Sequence, residues 1–256
     1  MAKYMIHTYP KRLWYVEEFL IPSMLAQGIA KEDITVYNDE KGEGNLKACM
    51  NAFLQCPDDI GGTWHLQDDV CICKDFRQRT EWYDNEIICG FSSKLYDGDE
   101  KTKIGPVPRR RMWFSFPCIR IPNKWARACA DWVLKYIIGN PVYREYWEKG
   151  VNDDWAFRQY LKEFQRDAVA LNIVPNLVDH VDYLLGGGSG GKRKEEVRAQ
   201  YWVDDDIIKE LEEKINGRSE KLDNSERTAH PDNGGSVKRR GRKKCDGQTT
   251  ASETGE

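Results

Sequence analysis

Short apolar runs of strand length alternate with amphipathic stretches of helix length from Tyr4 to Phe164, and this alternation constrains the fold more than any other feature. Tyr4 to Thr8 is a strand candidate, followed by a helical segment from Leu13 to Gln27 that Pro22 interrupts. Ile34-Thr35-Val36-Tyr37 reads as a second strand, ending in Asn38-Asp39-Glu40. A loop containing Gly42 and Gly44 then leads, with Asn45 as cap, into a helix from Asn45 to Gln55. Leu46, Cys49, Met50, Phe53 and Leu54 mark its buried face. Thr63 to Leu66 is the third strand, and Glu86 to Phe91 and Met112 to Phe116 are two more. Asn123 to Ile138 forms an amphipathic helix led by Trp125, Cys129, Trp132, Val133 and Tyr136, and Ala156 to Phe164 forms another. The pattern predicts an α/β fold with a mostly parallel sheet flanked by helices on both faces. In such folds ligands gather outside the carboxyl ends of the strands.

Composition supports a substantial core, with 40% hydrophobic and 11% aromatic residues, nine of them Trp, in 256 residues. A net charge of -3 gives no global bias toward polyanions, so any nucleic-acid footprint is local. No stretch approaches the roughly 18 apolar residues that span a bilayer. Met1 to His7 is too short and polar for a signal peptide, so the expectation is a cytoplasmic protein without membrane contact. The eight cysteines are scattered, and Cys71-Ile72-Cys73 lacks the two-residue spacer of a zinc knuckle, which favours buried free thiols.

The chain divides near Gly186. Residues 1–185 form the expected catalytic domain, and 186–215 comprise the flexible run Gly186 to Gly191 and a helix from Lys192 to Ile215. Residues 216–256, nearly free of large apolar side chains, are expected to be a disordered tail. That tail carries Lys238-Arg239-Arg240-Gly241-Arg242-Lys243-Lys244, a basic run able to contact nucleic acid without aromatic stacking.

Four clusters carry chemical potential. Asp68-Asp69 interrupts two apolar stretches, Trp64 to Leu66 and Val70 to Ile72, where a solvated turn would more often include Gly, Pro or Asn. Two adjacent carboxylates repel, and a divalent cation that relieves the repulsion also attracts phosphate. His180 follows Asp179 and precedes Asp182, and neutral imidazole is a good ligand beside carboxylates. Asp153 and Asp154 open a helix, where one can cap and the other act as a general base or orient a hydroxyl. Arg109-Arg110-Arg111 ends a polar loop that starts at Ser92, and guanidinium forks suit phosphate oxygens.

Together these elements resemble the GT-A fold glycosyltransferases, especially the small divergent kind found in bacteria and bacteriophages. Leu66-Gln67-Asp68-Asp69-Val70 is similar to the DxD-type motif of that superfamily, with Gln67 in place of the first acid. Val151-Asn152-Asp153-Asp154-Trp155 resembles the motif opening the acceptor-side helix. Pro175-Asn176-Leu177-Val178-Asp179-His180 resembles the late strand whose histidine closes the metal site. The resemblance covers about residues 1–190 and implies a Rossmann-like, GT-A-like sheet. It implies Mn²⁺ or Mg²⁺ held by Asp69, His180 and Asp68, and a nucleotide-sugar donor contacted by Asn38, Asp39, Asp68, Arg109 and Arg111. Asp153 or Asp154 would then serve the hydroxyl acceptor, a glycan or modified DNA. Two other readings use the same residues differently. A nucleotidyltransferase would employ the same acids, whereas a non-catalytic nucleic-acid-binding or virion-associated protein would work through the basic run.

Overall fold

The computed structural model describes residues 2–81, 87–91, 105–109, 116–144, 153–168, 170–185, 202 and 204–229, with side chains for all but 105–109 and 219–229. The chain forms two compact units, Met1–Glu213 and Lys214–Glu256, and everything described below as a site lies in the first. Its main sheet has seven strands: β1 (Lys3–Thr8), β2 (Ile34–Asn38), β3 (Gly62–Gln67), β5 (Ile87–Cys89), β6 (Gly105–Arg109), β7 (Cys118–Pro122) and β8 (Ala170–Val174). They lie in the order β2-β1-β3-β7-β5-β8-β6, while β4 (Val70–Ile72) pairs with β9 (Val178–His180) in a separate two-stranded ribbon.

The sheet is mixed. β1 pairs in parallel with β2 and β3, as β5 does with β8, but β3–β7, β5–β7 and β6–β8 are antiparallel. Five strands (β1, β2, β3, β5 and β8) therefore run one way, although only half of the pairings are parallel. The expected mostly parallel sheet is corrected to that extent. The reason is β7, which enters between two codirectional strands from the opposite end. The strand expected at Met112 to Phe116 falls largely outside the described residues; the ordered strand is Cys118–Pro122, where Ile119 and Ile121 alternate with a buried Arg120.

Strand β6 was legible only as part of a loop because Pro106 and Pro108 argue against a central strand. Among the described residues it is an edge strand, paired on β8 alone. Prolines two residues apart aim both missing N–H positions to the same side, and an edge strand has one side without a ladder.

Helices cover both faces. On one, α2 (Asn45–Leu54), α4 (Asn123–Trp132, continued by a π turn Val133–Ile137) and α5 (Asp153–Phe164) form a core with Ile87, Cys89, Ile119 and Ile121. Each presents apolar side chains at helical spacing: Leu46, Cys49, Met50 and Phe53; Ala126, Cys129, Ala130 and Val133; Ala156, Phe157, Tyr160 and Leu161. On the other face, α1 starts as Leu13–Tyr15, widens into a π turn over Val16–Leu20 and ends as Ile21–Ala26. The wider turn ends two residues before Pro22, which has no N–H to place in an α-helical ladder. The short α3 (Phe76–Thr80) packs on that side through Tyr4, whose hydroxyl lies 2.6 Å from Thr80 Oγ1, and through Trp64, whose indole donates to the Thr80 carbonyl at 3.1 Å. Seven cysteines among the described residues are buried and free.

The C-terminal helix α6 (Asp205–Ala229) runs beyond Ile215, and residues 192–201 of the expected helix lie outside the described residues. The polar stretch from Asn216 to Ala229, expected to be disordered, is helical and continues α6 without a break. The run Gly186 to Gly191 and the basic run Lys238 to Lys244 lie outside the described residues.

Phe157 is fully buried against Phe53, Phe116 and Tyr160 at ring-centroid distances of 6.2, 6.0 and 6.3 Å. Phe157→Ala should lower the unfolding free energy by about 3–5 kcal/mol in urea titration. A loss below about 1 kcal/mol would show that this face is not packed as described.

Candidate active site

The codirectional strands end at one edge of the sheet, at Thr8, Asn38, Gln67, Cys89 and Val174. Asp68 and Asp69 occupy the two-residue turn that carries the chain from β3 in the main sheet to β4 in the ribbon. Register in the ribbon sets Val70 opposite His180, and the Val181 N–H donates to the Asp69 carbonyl at 2.7 Å. The acidic turn and the late histidine are brought together by backbone pairing across more than a hundred residues of sequence.

A residue that the sequence reading did not single out organises this meeting. Arg12, directly before α1, is buried and points its guanidinium into the acidic turn. Nη1 donates to Asp69 Oδ2 at 2.5 Å and to Asp68 Oδ1 at 3.1 Å, while Nη2 donates to Asp182 Oδ1. The Thr8 hydroxyl adds a 2.9 Å bond to Asp68 Oδ2, and the Tyr15 hydroxyl ties α1 to the Val70 carbonyl at 3.0 Å. The position of Arg12 between a first strand and a first helix was a signal for the carboxyl edge. Its partners were hidden, because Asp182 lies 170 residues away.

Burial and the neighbouring Asp69 charge push the Asp68 carboxyl up to about 6, with Arg12 and Thr8 opposing. Burial also works against the charge on Asp69, but His180 and Arg12 outweigh it and hold its carboxyl below the ordinary range. His180 is raised: burial disfavours its cation, and the nearby Asp69 more than compensates. The Arg12 guanidinium, also disfavoured by burial, is held in its charged form by Asp69 and Asp68.

Asp153 joins the site from the other side. It begins α5, buried, and the side chains of Gln67 and Asn45 lie near enough to its carboxyl group to oppose the rise of its pKa. Gln67 is the residue before the acidic turn, so this contact places the start of α5 next to the end of β3. Asp153 Oδ1 also accepts the Asp154 N–H at 3.0 Å. Burial first, and the Asp154 charge second, push the Asp153 carboxyl up to about 7. Asp154 pairs with Arg158 at 3.5 Å through Oδ2, whereas its Oδ1 is buried without a hydrogen-bond partner. Of the two acids, Asp153 is thus committed to local structure and Asp154 keeps an acceptor atom unused.

The other expected donor residues differ in placement. Asp39 follows β2 and closes the loop before α2, its carboxylate accepting the Glu43 N–H at 3.0 Å and the Gly44 N–H at 3.2 Å. Gly44 makes that closure with φ +88°, a conformation that favours glycine. Asn38, one residue earlier, has a buried Oδ1 with no partner. Arg109 ends β6 opposite Ala170, the first residue of β8, and so its backbone sits at the far edge from the carboxyl ends. The sheet does not bring it to the acids. Arg111 lies outside the described residues.

Asp69 and His180 are the residues whose donor atoms come nearest to each other in the acidic turn. Asp69 Oδ1 and His180 Nε2 lie 3.1 Å apart, close to the spacing of about 3 Å between adjacent ligands at octahedral bond lengths of about 2.1 Å. At this distance the two form an ion pair in which each favours the charged form of the other. Asp68 and Asp182 offer oxygens of the same type, but Arg12 holds them. Accordingly, no group of three or more potential metal ligands converges among the described residues.

Comparison of the chain with protein-family models and with curated proteins returned no match in either case. Among the described residues, no helix is long and apolar enough to cross a membrane.

The raised Asp153 carboxyl has a consequence for stability. Between the ordinary value of 3.8 and about 7 the folded state binds this proton more tightly than the unfolded chain does. Its stabilising effect is present at low pH and is lost as pH rises toward 7. Asp153→Asn should therefore flatten the fall in unfolding free energy between pH 5 and 8, measured by urea titration at each pH. An unchanged slope would show that Asp153 does not titrate in this window.

Proposed function

We propose that this chain is a metal-dependent glycosyltransferase that moves a sugar from a nucleotide-sugar donor to a hydroxyl acceptor. One observation carries the reading: Asp69 and His180 meet at the carboxyl ends of codirectional strands, with two further carboxylates and a buried guanidinium around them. Crevices in this position are where open α/β sheets bind ligands. The likeness of the three motifs to GT-A glycosyltransferases adds the reaction class.

In this reading Asp69 and His180 would hold Mn²⁺ or Mg²⁺. Such an ion, when bound, neutralises charge on a departing nucleoside diphosphate. Asp68, fixed by Thr8 and Arg12, presents its carboxylate beside that position toward the donor ribose or the ion. Asn38, with its unpartnered Oδ1 at the end of β2, is suited to accept a hydrogen bond from the nucleoside. Asp154 has the acceptor atom available for the proton of an incoming hydroxyl, as an inverting reaction requires. Asp153 positions it from the helix start and, through Gln67, links it to the donor side.

The test is turnover of a panel of nucleotide-sugars with and without Mn²⁺. Asp69→Asn and His180→Ala should each lower metal-dependent turnover by about a hundredfold or more while the far-UV circular dichroism stays native. Full activity in either variant removes that residue from the ion site. Release of pyrophosphate instead of a nucleoside diphosphate would reassign the chain to nucleotidyl transfer. No turnover with any donor, together with salt-sensitive DNA binding lost on deleting residues 236–256, would make it a binding protein.

A further inference from the structure

Thr8, which holds Asp68, points to one face of β1, and its neighbour His7 points to the other. His7 is paired in register with Gln67 of β3, and His65 stands two residues before Gln67, so the three side chains share that second face. There α2 covers them: the Phe53 ring meets His65 at 4.6 Å and His7 at 6.2 Å, edge-on in both cases. His7 Nε2 lies 2.9 Å from His65 Nδ1, and His65 Nε2 lies 3.6 Å from Cys56 Sγ. His65 is buried with both ring nitrogens engaged.

His7 differs. It is half-buried, its Nε2 is anchored, and its Nδ1 has no hydrogen-bond partner among the described residues. Burial lowers the His7 pKa to about 4 and holds His65 well below its ordinary value, so the pair is uncharged near neutral pH. A neutral imidazole fixed through one nitrogen presents the other in a set direction. Without a positive charge it has no Coulombic hold on phosphate. A hydroxyl, which both donates and accepts, matches either tautomer.

We propose that His7 Nδ1 binds a ligand hydroxyl at the carboxyl edge of the sheet, with His65 and Cys56 as the string that holds its ring. His65 is a positioning residue in this role, acting through His7. The proposal needs no metal ion. It deepens the glycosyltransferase reading and rests on it for the source of the hydroxyl, which is the acceptor or the donor sugar. Gln67, beside His7 in register, also lies next to Asp153, so His7 stands on the Asp153 side of the edge.

Two amide substitutions in the full chain separate the roles of the ring nitrogens, because the carboxamide of Asn reaches the position of Nδ1 and that of Gln the position of Nε2. Activity is read with the nucleotide-sugar panel, using methyl glycosides as acceptors, and stability by urea titration. His7→Gln keeps the anchor to His65 and gives up Nδ1. It should lower kcat/KM at least about tenfold with an unchanged urea midpoint. His7→Asn should keep more activity than His7→Gln while unfolding at lower urea. A histidine that only packs would show the reverse order. A loss confined to transfer puts the hydroxyl on the acceptor. An equal loss in donor hydrolysis, where water is the acceptor, puts it on the donor sugar. In wild type the ¹⁵N resonance of His7 Nδ1 should shift when the nucleotide-sugar and glycoside that turn over are added, while that of His65 Nε2 stays. This measurement decides the matter should His7→Gln fail to fold, and an unmoved Nδ1 then overturns the proposal. If wild type turns over a donor and folded His7→Gln is as active, the proposal falls while the glycosyltransferase reading stands. If wild type turns over no donor, both fall.

Discussion

A buried charge network holds the carboxyl edge of this protein together. Arg12, Asp68, Asp69 and Asp182 are all nearly shielded from water, and taking such groups out of solvent costs several kcal/mol per ion. What compensates is geometry. One planar guanidinium serves three carboxylates, Thr8 satisfies a fourth oxygen contact, and His180 pairs with the other oxygen of Asp69. The strength of the arrangement lies less in its net energy than in what its loss would leave behind. Removing Arg12 would strand three carboxylates in one buried place, a type of change that costs about 3–5 kcal/mol. The first βα unit, the β3–β4 turn and the segment after β9 therefore share one electrostatic solution.

The topology explains why the solution falls at this spot. Five strands aligned in one direction deliver their exits to a single edge, so short loops suffice to bring Thr8, Arg12, Asp39 and Asp68 close in space. The β4–β9 ribbon then acts as a clasp. Its three-residue register is short, but the hydrogen bond from Val181 to the Asp69 carbonyl extends it to the acidic turn. On the other face of the sheet order, the antiparallel β7 separates β3 from β5, and the helices packed over it carry the core that fixes where α5 starts. Through α5 the core reaches Asp153, so packing and chemistry meet at the first residue of a helix.

Local periodicity made much of this legible. The apolar face of α2 and the stripe of α4 repeat at helical spacing, and β1, β2 and β3 are short β-rich runs bounded by polar residues, which is information a single sequence carries. Asp68, Asp69 and His180 were visible because acids interrupting apolar runs, and a histidine flanked by acids, depart from core and surface patterns alike. Long-range pairing was not visible. Arg12 looks like any surface arginine before a helix, since what distinguishes it is Asp182 at the other end of the domain. Strand β6 was obscured by its prolines, which only an edge position tolerates, and β7 by a denser apolar run just before it. The extension of α6 to Ala229 escaped for the opposite reason: a polar stretch has no apolar stripe to read.

Gln67 ties these strands of argument together. Against the DxD pattern it is a missing acid, and on the sequence alone that absence weakens a metal site. The structure supplies a physical reason for an amide there. Gln67 is the last residue of β3, and its side chain lies next to Asp153, whose buried carboxyl is already raised to about 7. A carboxylate at position 67 would face Asp153 across the same contact, with Asp68 and Asp154 adjacent in sequence. Like charges that close would force one of the acids to keep a proton. The amide can donate to Asp153 in either of its protonation states. What reads as a lost ligand on one side of the turn is therefore a polar bridge on the other, joining the start of α5 to the acidic turn that Arg12 holds.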